Sequence, residues 1–201
     1  MTTIASALSA AASLPPFKRA LILGGARSGK SARAEALTLA LAGDGPVIYL
    51  ATSEAGDAEM AGRIAEHRAR RGARWVTREA PLDLLDVLAG ETRPVLVDCL
   101  TLWLTNWRMP MHPKVLSSSE PNQPLALVSV DYVALLLEAI TAAPGPLVLV
   151  GNEIGLGVIP MGAEVRAFVD ALGLLNQQVA EVCARVTLMA AGLPLTLKAA
   201  N

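Results

Sequence analysis

The fold is decided by the stretch Gly24-Gly25-Ala26-Arg27-Ser28-Gly29-Lys30-Ser31, which fits the pattern G-x-x-x-x-G-K-[ST]. The short apolar run Ala20–Gly24 leads into it, and the Ala- and Leu-rich stretch Ser31–Leu41 follows it. Glycines let the backbone wrap a polyphosphate with its N–H groups, and the start of a helix adds partial positive charge. A strand, a glycine-rich loop and a helix in this order predict a phosphate-binding loop rather than a turn without a ligand.

Three side chains complete the chemistry that this loop predicts. Lys30 is expected to reach the β- and γ-phosphates, and the hydroxyl of Ser31 is expected to bind Mg²⁺. Asp98 closes the apolar run Val95–Asp98 and is the natural second metal ligand. Its alternative role is to cap the helix that follows. A nucleoside triphosphate and magnesium are therefore predicted, but these residues do not choose a reaction.

The apolar runs and helical stretches along the rest of the chain predict an α/β fold. Short runs that are apolar on both faces are typical of buried parallel strands, and they alternate with longer stretches of helical periodicity. The predicted strands are Ala20–Gly24, Val47–Ala51, Val95–Asp98 and Leu147–Val150. The predicted helices are Ser31–Leu41, Asp57–Arg71, Leu82–Leu88, Asp131–Ala142 and Ala163–Ala184. We expect a mostly parallel sheet flanked by helices, with Val186–Ala190 and Pro194–Lys198 as an antiparallel hairpin at its edge.

The length of 201 residues fits one domain, which we expect to span residues 20–201 after a weakly ordered tail at residues 1–19. The segment Arg108–Val128 contains four prolines and three consecutive serines, so we expect a loop insertion there. No uncharged apolar run reaches the length of about 20 residues that a membrane helix needs. A span across a membrane is therefore not expected.

Composition excludes several classes of protein. Apolar residues make up 53% and charged residues 17%, which excludes a disordered chain. There are 17 Lys plus Arg against 18 Asp plus Glu, so the net charge of −1 argues against a nucleic-acid binder. Two distant cysteines and two histidines cannot form a disulfide framework or a Cys-rich zinc site. A reducing cytoplasm fits this usage, and we expect Cys99 to be a buried residue rather than a nucleophile.

A basic segment follows the second predicted strand. Six arginines lie between positions 63 and 78, with His67 among them: Arg63, Arg68, Arg70, Arg71, Arg74 and Arg78. On a helix, Met60, Ile64, His67 and Arg71 share one stripe. One interpretation is a solvated basic helix with a histidine at the edge of the core. The other is an anion-binding face on which His67 attacks phosphorus. The spacing leaves both open.

Polar pairs follow two of the predicted strands, where open parallel sheets bind their ligands. They are Thr52-Ser53 and Asn152-Glu153. Each pair either caps a helix or touches substrate, and Glu153 is a candidate general base. Asn176-Gln177, inside a long apolar helix, is a candidate for either a buried polar contact or part of a subunit interface. His112, in the proline-rich segment, is expected at the surface.

Taken together, these residues resemble the bifunctional adenosylcobinamide kinase / adenosylcobinamide-phosphate guanylyltransferase family of cobalamin biosynthesis. The resemblance covers roughly residues 20–198. Besides the phosphate-binding loop, it rests on Tyr49–Pro81 with its A-T-S and R-I-x-x-H-R patterns, on VLVDCLTLWLTNW at Val95–Trp107, on NEIGLGVIP at Asn152–Pro160 and on G-x-x-N-Q at Gly173–Gln177.

The resemblance implies a two-step enzyme. ATP or GTP phosphorylates the aminopropanol hydroxyl of adenosylcobinamide, and GMP is then transferred from GTP to the product, with release of pyrophosphate. The family carries the guanylyl group on a histidine, which maps to His67. Its nucleotide contacts map to the phosphate-binding loop and to Ala51, Thr52, Ser53, Arg68, Ala69, Arg70, Arg71, Glu79 and Asp98. The resemblance also implies a homotrimer in which neighbouring subunits complete the site.

This chain departs from the family pattern at two positions. Gly151 stands where the family has Thr or Ser, and Val169 stands where a basic residue is common. Two alternatives to the implied function remain: a small-molecule kinase in which His67 is structural, and a nucleotide-binding module without catalysis. Nucleic-acid binding by the arginine segment is weakly supported, because Trp75 is the one aromatic residue near it.

Overall fold

The computed structural model describes residues 17–53, 71–108 and 125–199. These residues form seven strands: β1 (Arg19–Gly24), β2 (Val47–Ala51), β3 (Trp75–Glu79), β4 (Val95–Asp98), β5 (Leu147–Asn152), β6 (Arg185–Ala190) and β7 (Leu193–Lys198). They also form five helices: α1 (Lys30–Ala42), α2 (Leu84–Gly90), α3 (Leu100–Arg108), α4 (Leu125–Ala142) and α5 (Ala163–Val182).

All seven strands belong to one sheet, in the order β3-β2-β4-β5-β1-β6-β7. Every neighbouring pair is parallel except β6 and β7, which are antiparallel. The predicted α/β class with a C-terminal edge hairpin is therefore confirmed. Because six strands run the same way, their carboxyl ends meet at one edge of the sheet, where ligands bind in folds of this kind.

The central strands form because their side chains are apolar on both faces. Leu21 and Leu23 of β1 pack with residues of α2, α3, α4 and α5 on one face of the sheet. Ala20 and Ile22 pack with α1 on the opposite face. Each fully buried Leu or Ile contributes about 1.5–3 kcal/mol through removal of apolar surface from water. Two helical layers therefore enclose the sheet and leave its carboxyl edge to the connecting loops.

Two elements were not predicted. The segment Trp75–Glu79 forms the edge strand β3, which has a sheet neighbour on only one side and leaves residues such as Arg78 exposed. Its mixed pattern therefore lacks the double-sided apolar run that marks a buried strand. Helix α3 starts two residues after Asp98. The absence of a loop between strand and helix hides that boundary in the sequence.

The predicted limit of the N-terminal tail is wrong at its end. Arg19 belongs to β1, and Phe17 is only 5% exposed. The Arg19 guanidinium can lie inside the protein because it donates to carbonyl oxygens at the end of α4, including that of Thr141 at 2.9 Å. Backbone carbonyls at a helix C-terminus favour such a cation. Residues 1–16 lie outside the described part of the chain.

The predicted insertion at 108–128 is too wide at both ends. Arg108 is the last residue of α3, and Leu125–Val128 already belong to α4, because this Leu- and Ala-rich stretch favours a helix. Residues 109–124, with His112, lie outside the described residues. Of the predicted helix Asp57–Arg71, residues 57–70 also lie outside them, and Arg71 is not helical.

The boundaries of two further helices also differ from the prediction. Helix α2 is shifted two residues toward the C-terminus, and α5 ends at Val182 because Cys183 is already extended and leads into β6. The C-terminal hairpin turns at Ala191-Gly192, whose φ angles of 51° and 79° are both positive, as tight hairpin turns require. Among the described helices, none is long and apolar enough to cross a membrane.

Glu91 joins α2 to β4 and is held by arginines. It is 7% exposed, and its carboxylate accepts hydrogen bonds from Nε of Arg93 at 2.7 Å and Nη2 at 2.6 Å, with Arg78 at 3.5 Å. The hydrogen bonds from Arg93 lower the pKa of Glu91 from 4.5 to about 2, against the opposing effect of burial. The charged form is therefore stabilised by folding.

We predict that Glu91→Gln lowers the free energy of unfolding at pH 7 by about 1–3 kcal/mol, since charge-assisted hydrogen bonds are lost. A group whose pKa is lowered by folding stabilises the protein above its unfolded pKa. The difference from wild type should therefore shrink as pH falls from 4.5 toward 2. Urea unfolding across this range tests it, with Glu138→Gln on the exposed face of α4 as the control. A difference that stays constant with pH would contradict this assignment.

Candidate functional site

The predicted site residues at the strand ends lie along one edge of the sheet. Ala51 of β2 is in register with Glu79 of β3 on one side and with Asp98 of β4 on the other. Each is the last residue of its strand. Gly24 ends β1, and the Gly24–Ser31 loop starts from this same edge. The structure therefore brings together the phosphate-binding loop, the acid at the end of β4 and two of the positions implied by the resemblance.

The backbone of the loop is tightly closed. A Cβ atom on Gly24 would lie 2.4 Å from Oγ of Ser28 and 2.8 Å from the carbonyl oxygen of Met189, so a side chain has no room there. Gly29 has a φ of 92°, in the left-handed region that glycine adopts without steric cost. The N–H of Gly192, in the hairpin turn, donates to the carbonyl oxygen of Ser28 at 3.0 Å. The C-terminal hairpin therefore supports the loop from behind.

The open side of the loop is suited to an anion. Gly25, Ala26 and Arg27 are exposed, and Nζ of Lys30 folds back to donate to the carbonyl oxygen of Gly25 at 3.1 Å. Helix α1 starts at Lys30 with no acidic residue in its first turn and no side-chain cap. Its first N–H groups therefore keep the partial positive charge that binds phosphate.

Asp98 is held from the side of β2. Its Oδ2 accepts a hydrogen bond from the hydroxyl of Tyr49 at 2.8 Å. Burial raises the pKa of Tyr49 well above its usual value, and the Asp98 carboxylate raises it further, so the phenol remains a donor. The bond ties Asp98 to the neighbouring strand rather than to the first turn of α3. This favours a site role for Asp98 over the capping alternative.

Thr52 links the ends of β2 and β4 through hydrogen bonds to Cys99. Its hydroxyl donates to the carbonyl oxygen of Cys99 at 2.7 Å and accepts from the Cys99 N–H at 2.8 Å. Its own carbonyl oxygen accepts from Nδ2 of Asn106 at 2.8 Å. Thr52 is 0% exposed, so its side chain cannot meet a nucleotide without moving. Sequence reasoning missed Asn106, although a polar residue in the apolar helix LTLWLTNWR was an available signal.

The polar pair Asn152-Glu153, at the end of β5, lies beside the loop. The N–H of Glu153 donates to the carbonyl oxygen of Gly24 at 3.2 Å. Nδ2 of Asn176 donates to the carbonyl oxygen of Asn152 at 3.1 Å, which confirms Asn176 as a buried polar contact. A Cβ atom on Gly151 would lie 2.9 Å from Cδ2 of Leu23 and 3.0 Å from Oδ1 of Asn176. A side chain at this position would therefore require the side chains of Leu23 and Asn176 to shift.

Arg71, one of the six arginines between positions 63 and 78, lies against this site. The guanidinium carbon of Arg71 is 3.3 Å from the centroid of the Tyr49 ring, and its Nη1 donates to Oγ1 of Thr77 at 3.3 Å. His67, Arg68, Ala69 and Arg70 lie outside the described residues, so their placement stays a prediction. Cys99 is 5% exposed, which confirms the predicted buried residue, and burial raises the pKa of its thiol to about 11.

Exposed apolar side chains flank the site. The loop after Glu153 presents Leu156, Val158, Ile159 and Met161, which are between 79% and 98% exposed. Strand β7 presents three further leucines, Leu193, Leu195 and Leu197, which are more than half exposed. Apolar surface of this kind marks a binding or association surface more often than bare solvent contact.

We predict that Thr52→Val destabilises the protein by about 1–3 kcal/mol, because the buried N–H of Cys99 loses its partner and the Cys99 carbonyl oxygen keeps only the bond from the Trp103 N–H. Thr38→Val is the matched control. Thr38 is equally buried, but its hydroxyl only donates to Ala34 within α1, at 2.8 Å, so a loss below about 1 kcal/mol is expected. Equal losses in the two variants, measured by urea unfolding, would contradict this role of Thr52.

Comparison with known proteins agrees with this geometry. The family described as cobinamide kinase / cobinamide phosphate guanyltransferase matches residues 20–197. The bifunctional adenosylcobalamin biosynthesis protein CobP of Pseudomonas aeruginosa is 49% identical over 183 residues, which cover 90% of this chain and 97% of that protein. Its counterpart CobU of Salmonella typhimurium is 35% identical over 186 residues, covering 89% and 98%.

A solved structure of a Pyrococcus horikoshii OT3 protein shares the fold, with a TM-score of 0.51 over 96% of this chain and 93% of that one. Its identity of 7% supports no statement beyond the fold. The family match spans the phosphate-binding loop, Asp98 and the pair Asn152-Glu153 in one alignment. The chain therefore belongs to the cobinamide kinase / cobinamide phosphate guanyltransferase family, whose members are enzymes of cobalamin biosynthesis.

Proposed function

We propose that this enzyme phosphorylates adenosylcobinamide with ATP or GTP and transfers GMP from GTP to adenosylcobinamide phosphate through a guanylyl-histidine. The observation that carries the proposal is the geometry of the Gly24–Ser31 loop. The N–H of Gly192 in the hairpin turn donates to the loop at Ser28, and the Lys30 ammonium donates to the loop at Gly25. A triphosphate bound there would lie at the edge where Asp98 and Glu153 also stand. Both reactions need the same triphosphate held in place.

The residues at this edge fit Mg²⁺. Ser31 offers a hydroxyl oxygen and Asp98 a carboxylate, and hard divalent cations prefer oxygen ligands. Bound there with the nucleotide, Mg²⁺ would offset negative charge on the phosphates. Among the described residues, no group of three or more His, Cys, Asp or Glu side chains could hold a metal by itself. This fits a cation that takes its remaining ligands from phosphate and water.

For the kinase step, the corrinoid hydroxyl attacks the γ-phosphorus. Its oxygen forms the new P–O bond while the bond from the γ-phosphorus to the bridging oxygen breaks, and the nucleoside diphosphate leaves. Glu153 is the candidate acceptor of the hydroxyl proton, because it follows β5 directly beside the loop; its Oε1 accepts the N–H of Gly155 at 2.7 Å, and its other carboxylate oxygen would take the proton. Lys30 and the N–H groups of the loop hold the leaving phosphates.

For the guanylyl step, a ring nitrogen of His67 attacks the α-phosphorus of GTP and pyrophosphate leaves. An oxygen of the corrinoid phosphate then attacks the same phosphorus, and the bond to histidine breaks to give adenosylcobinamide-GDP. A covalent intermediate splits one difficult displacement into two easier ones. Arg71 supports this assignment, because it ends the His67 segment and stacks on the ring whose hydroxyl holds Asp98.

We also propose that copies of this chain associate, as a homotrimer by resemblance. The exposed leucines of β7 and the apolar loop after Glu153 support association, since burying them against another copy would remove a large apolar area from water. Because that loop follows Glu153 directly, a neighbouring copy seated on it would border the corrinoid. A cytoplasmic location stays a prediction.

We predict that Lys30→Ala lowers both activities by about 10²-fold or more, the usual effect of losing a donor that stabilises charge in the transition state. Separate assays would follow phosphorylation of adenosylcobinamide and formation of the GDP-linked corrinoid. Lys18→Ala, at an exposed lysine outside the loop, is the control and should leave both rates unchanged. Retained turnover in Lys30→Ala would contradict the proposed role of the loop.

We predict further that His67→Ala abolishes formation of the GDP-linked product and spares phosphorylation, because only the guanylyl step uses the imidazole. His112→Ala removes the other histidine of the chain and should leave both steps intact. If His67→Ala still formed the GDP-linked product, the nucleophile would be another group. If the wild type phosphorylated adenosylcobinamide but never transferred GMP, the plain kinase would be the better description.

A further inference from the structure

We propose that Tyr49 is a positioning residue that holds Asp98 and Arg71 together at the nucleotide site, which rests on the proposed function of that site. The hydroxyl of Tyr49 donates to Oδ2 of Asp98 at 2.8 Å. The face of the same ring carries the Arg71 guanidinium, 3.3 Å from its centroid. One buried side chain thus contacts an acid with its edge and a base with its face.

The sheet places Tyr49 where it can do this. Tyr49 is in register with Leu96 of β4, and Asp98 lies two residues beyond Leu96 on the same face of that strand. On the other side Tyr49 is in register with Thr77 of β3, whose hydroxyl accepts from Arg71. The phenol therefore reaches a diagonal neighbour on one strand, while its ring lies beside the contact that Arg71 makes on the other.

Packing restricts the movement of the ring. Tyr49 is 6% exposed, and Trp75 of β3 meets it edge-on, with ring centroids 6.1 Å apart and planes at 75°. A ring held in this way gives the hydroxyl a narrow range of positions. The hydrogen bond therefore orients the Asp98 carboxylate, with Oδ2 engaged by the phenol and Oδ1 left for a cation. Partners that orient a metal ligand change metal affinity or activity by 10–100-fold when removed.

The same ring links the metal side of the site to the arginine segment. A guanidinium over an aromatic face gains cation–π attraction, which strengthens when water is excluded. Arg71 lies four residues after His67 and is the first described residue beyond it. The contact of Arg71 with Tyr49 therefore links the arginine segment at Arg71 to Asp98 at the end of β4. If Tyr49 served only the core, its loss would lower stability without changing the requirement for Mg²⁺.

Tyr49→Phe separates these two roles, because it removes the hydroxyl and keeps the ring on which Arg71 and Trp75 pack. We would measure GTP binding by calorimetry, once with Mg²⁺ and once with EDTA. We expect the Mg²⁺-dependent gain in affinity to fall about tenfold, with binding in EDTA unchanged. Tyr132→Phe is the matched control: Tyr132 is the other tyrosine of the chain and stacks on Trp107, with centroids 3.6 Å apart. An unchanged Mg²⁺ dependence in Tyr49→Phe would overturn the proposal.

Tyr49→Leu removes the ring as well, so it should also weaken GTP binding in EDTA, because Arg71 loses its support. Equal binding by Tyr49→Leu and Tyr49→Phe in EDTA would overturn the part of the proposal that concerns Arg71. Thermal melts of both variants would show whether they fold.

A second measurement leaves Tyr49 unchanged, so misfolding of a Tyr49 variant cannot affect its result. In Tyr132→Phe, tyrosine labelled with ¹³C at Cζ alone gives a single signal, that of Tyr49. We expect Mg²⁺ with GTP to shift this signal, and Asp98→Asn to abolish the part of the shift that depends on Mg²⁺. A signal that does not respond to Mg²⁺ would overturn the positioning role and leave the proposed function standing. Absence of any Mg²⁺-dependent GTP binding by the wild type would contradict the proposed function and this proposal together.

Discussion

The parallel register of the central strands is the constraint on which the site depends. Because β2, β4, β5 and β1 run in the same direction, Ala51, Asp98, Asn152 and Gly24 end at one edge without any help from distant loops. A shift by one residue would exchange the side chains that pack against the two helical layers, so their close packing fixes this register. The packing that stabilises the sheet therefore also sets the distance between the phosphate-binding loop and the acid.

Hydrogen bonds then fix the positions of the residues that the strand register brings to this edge. Thr52 joins the ends of β2 and β4 through two hydrogen bonds to Cys99, and the hairpin turn at Gly192 supports the loop at Ser28. The charges are divided in a consistent way. Lys30 and the start of α1 offer positive charge at the loop, whereas Asp98 places a carboxylate at the end of β4. The described part of the site is therefore built on strand ends and on the start of a helix.

The sequence predicts the central strands and the loop well for a physical reason. A strand buried on both faces must be a continuous apolar run, and a backbone that wraps phosphate needs glycines at fixed spacing. The edge strand β3 does not have such an apolar run, because it pairs with a neighbouring strand along only one of its two edges. Contacts between strands are equally hidden: nothing in the local pattern pairs Tyr49 with Asp98, or Asn106 with Thr52, since their separations of 49 and 54 positions are bridged only by the fold.

The central claim is that a GTP held by this loop passes its GMP to His67, and peptide mapping by mass spectrometry tests it most directly. The protein would be incubated with GTP and Mg²⁺, kept away from acid to preserve a phosphorus–nitrogen bond, and digested with trypsin. The two histidines fall in different peptides, 64–68 and 109–114, because arginine or lysine flanks each of them. The account predicts GMP on the peptide that contains His67, and none in Lys30→Ala. Bound GTP without any adduct, or an adduct on His112, would contradict it.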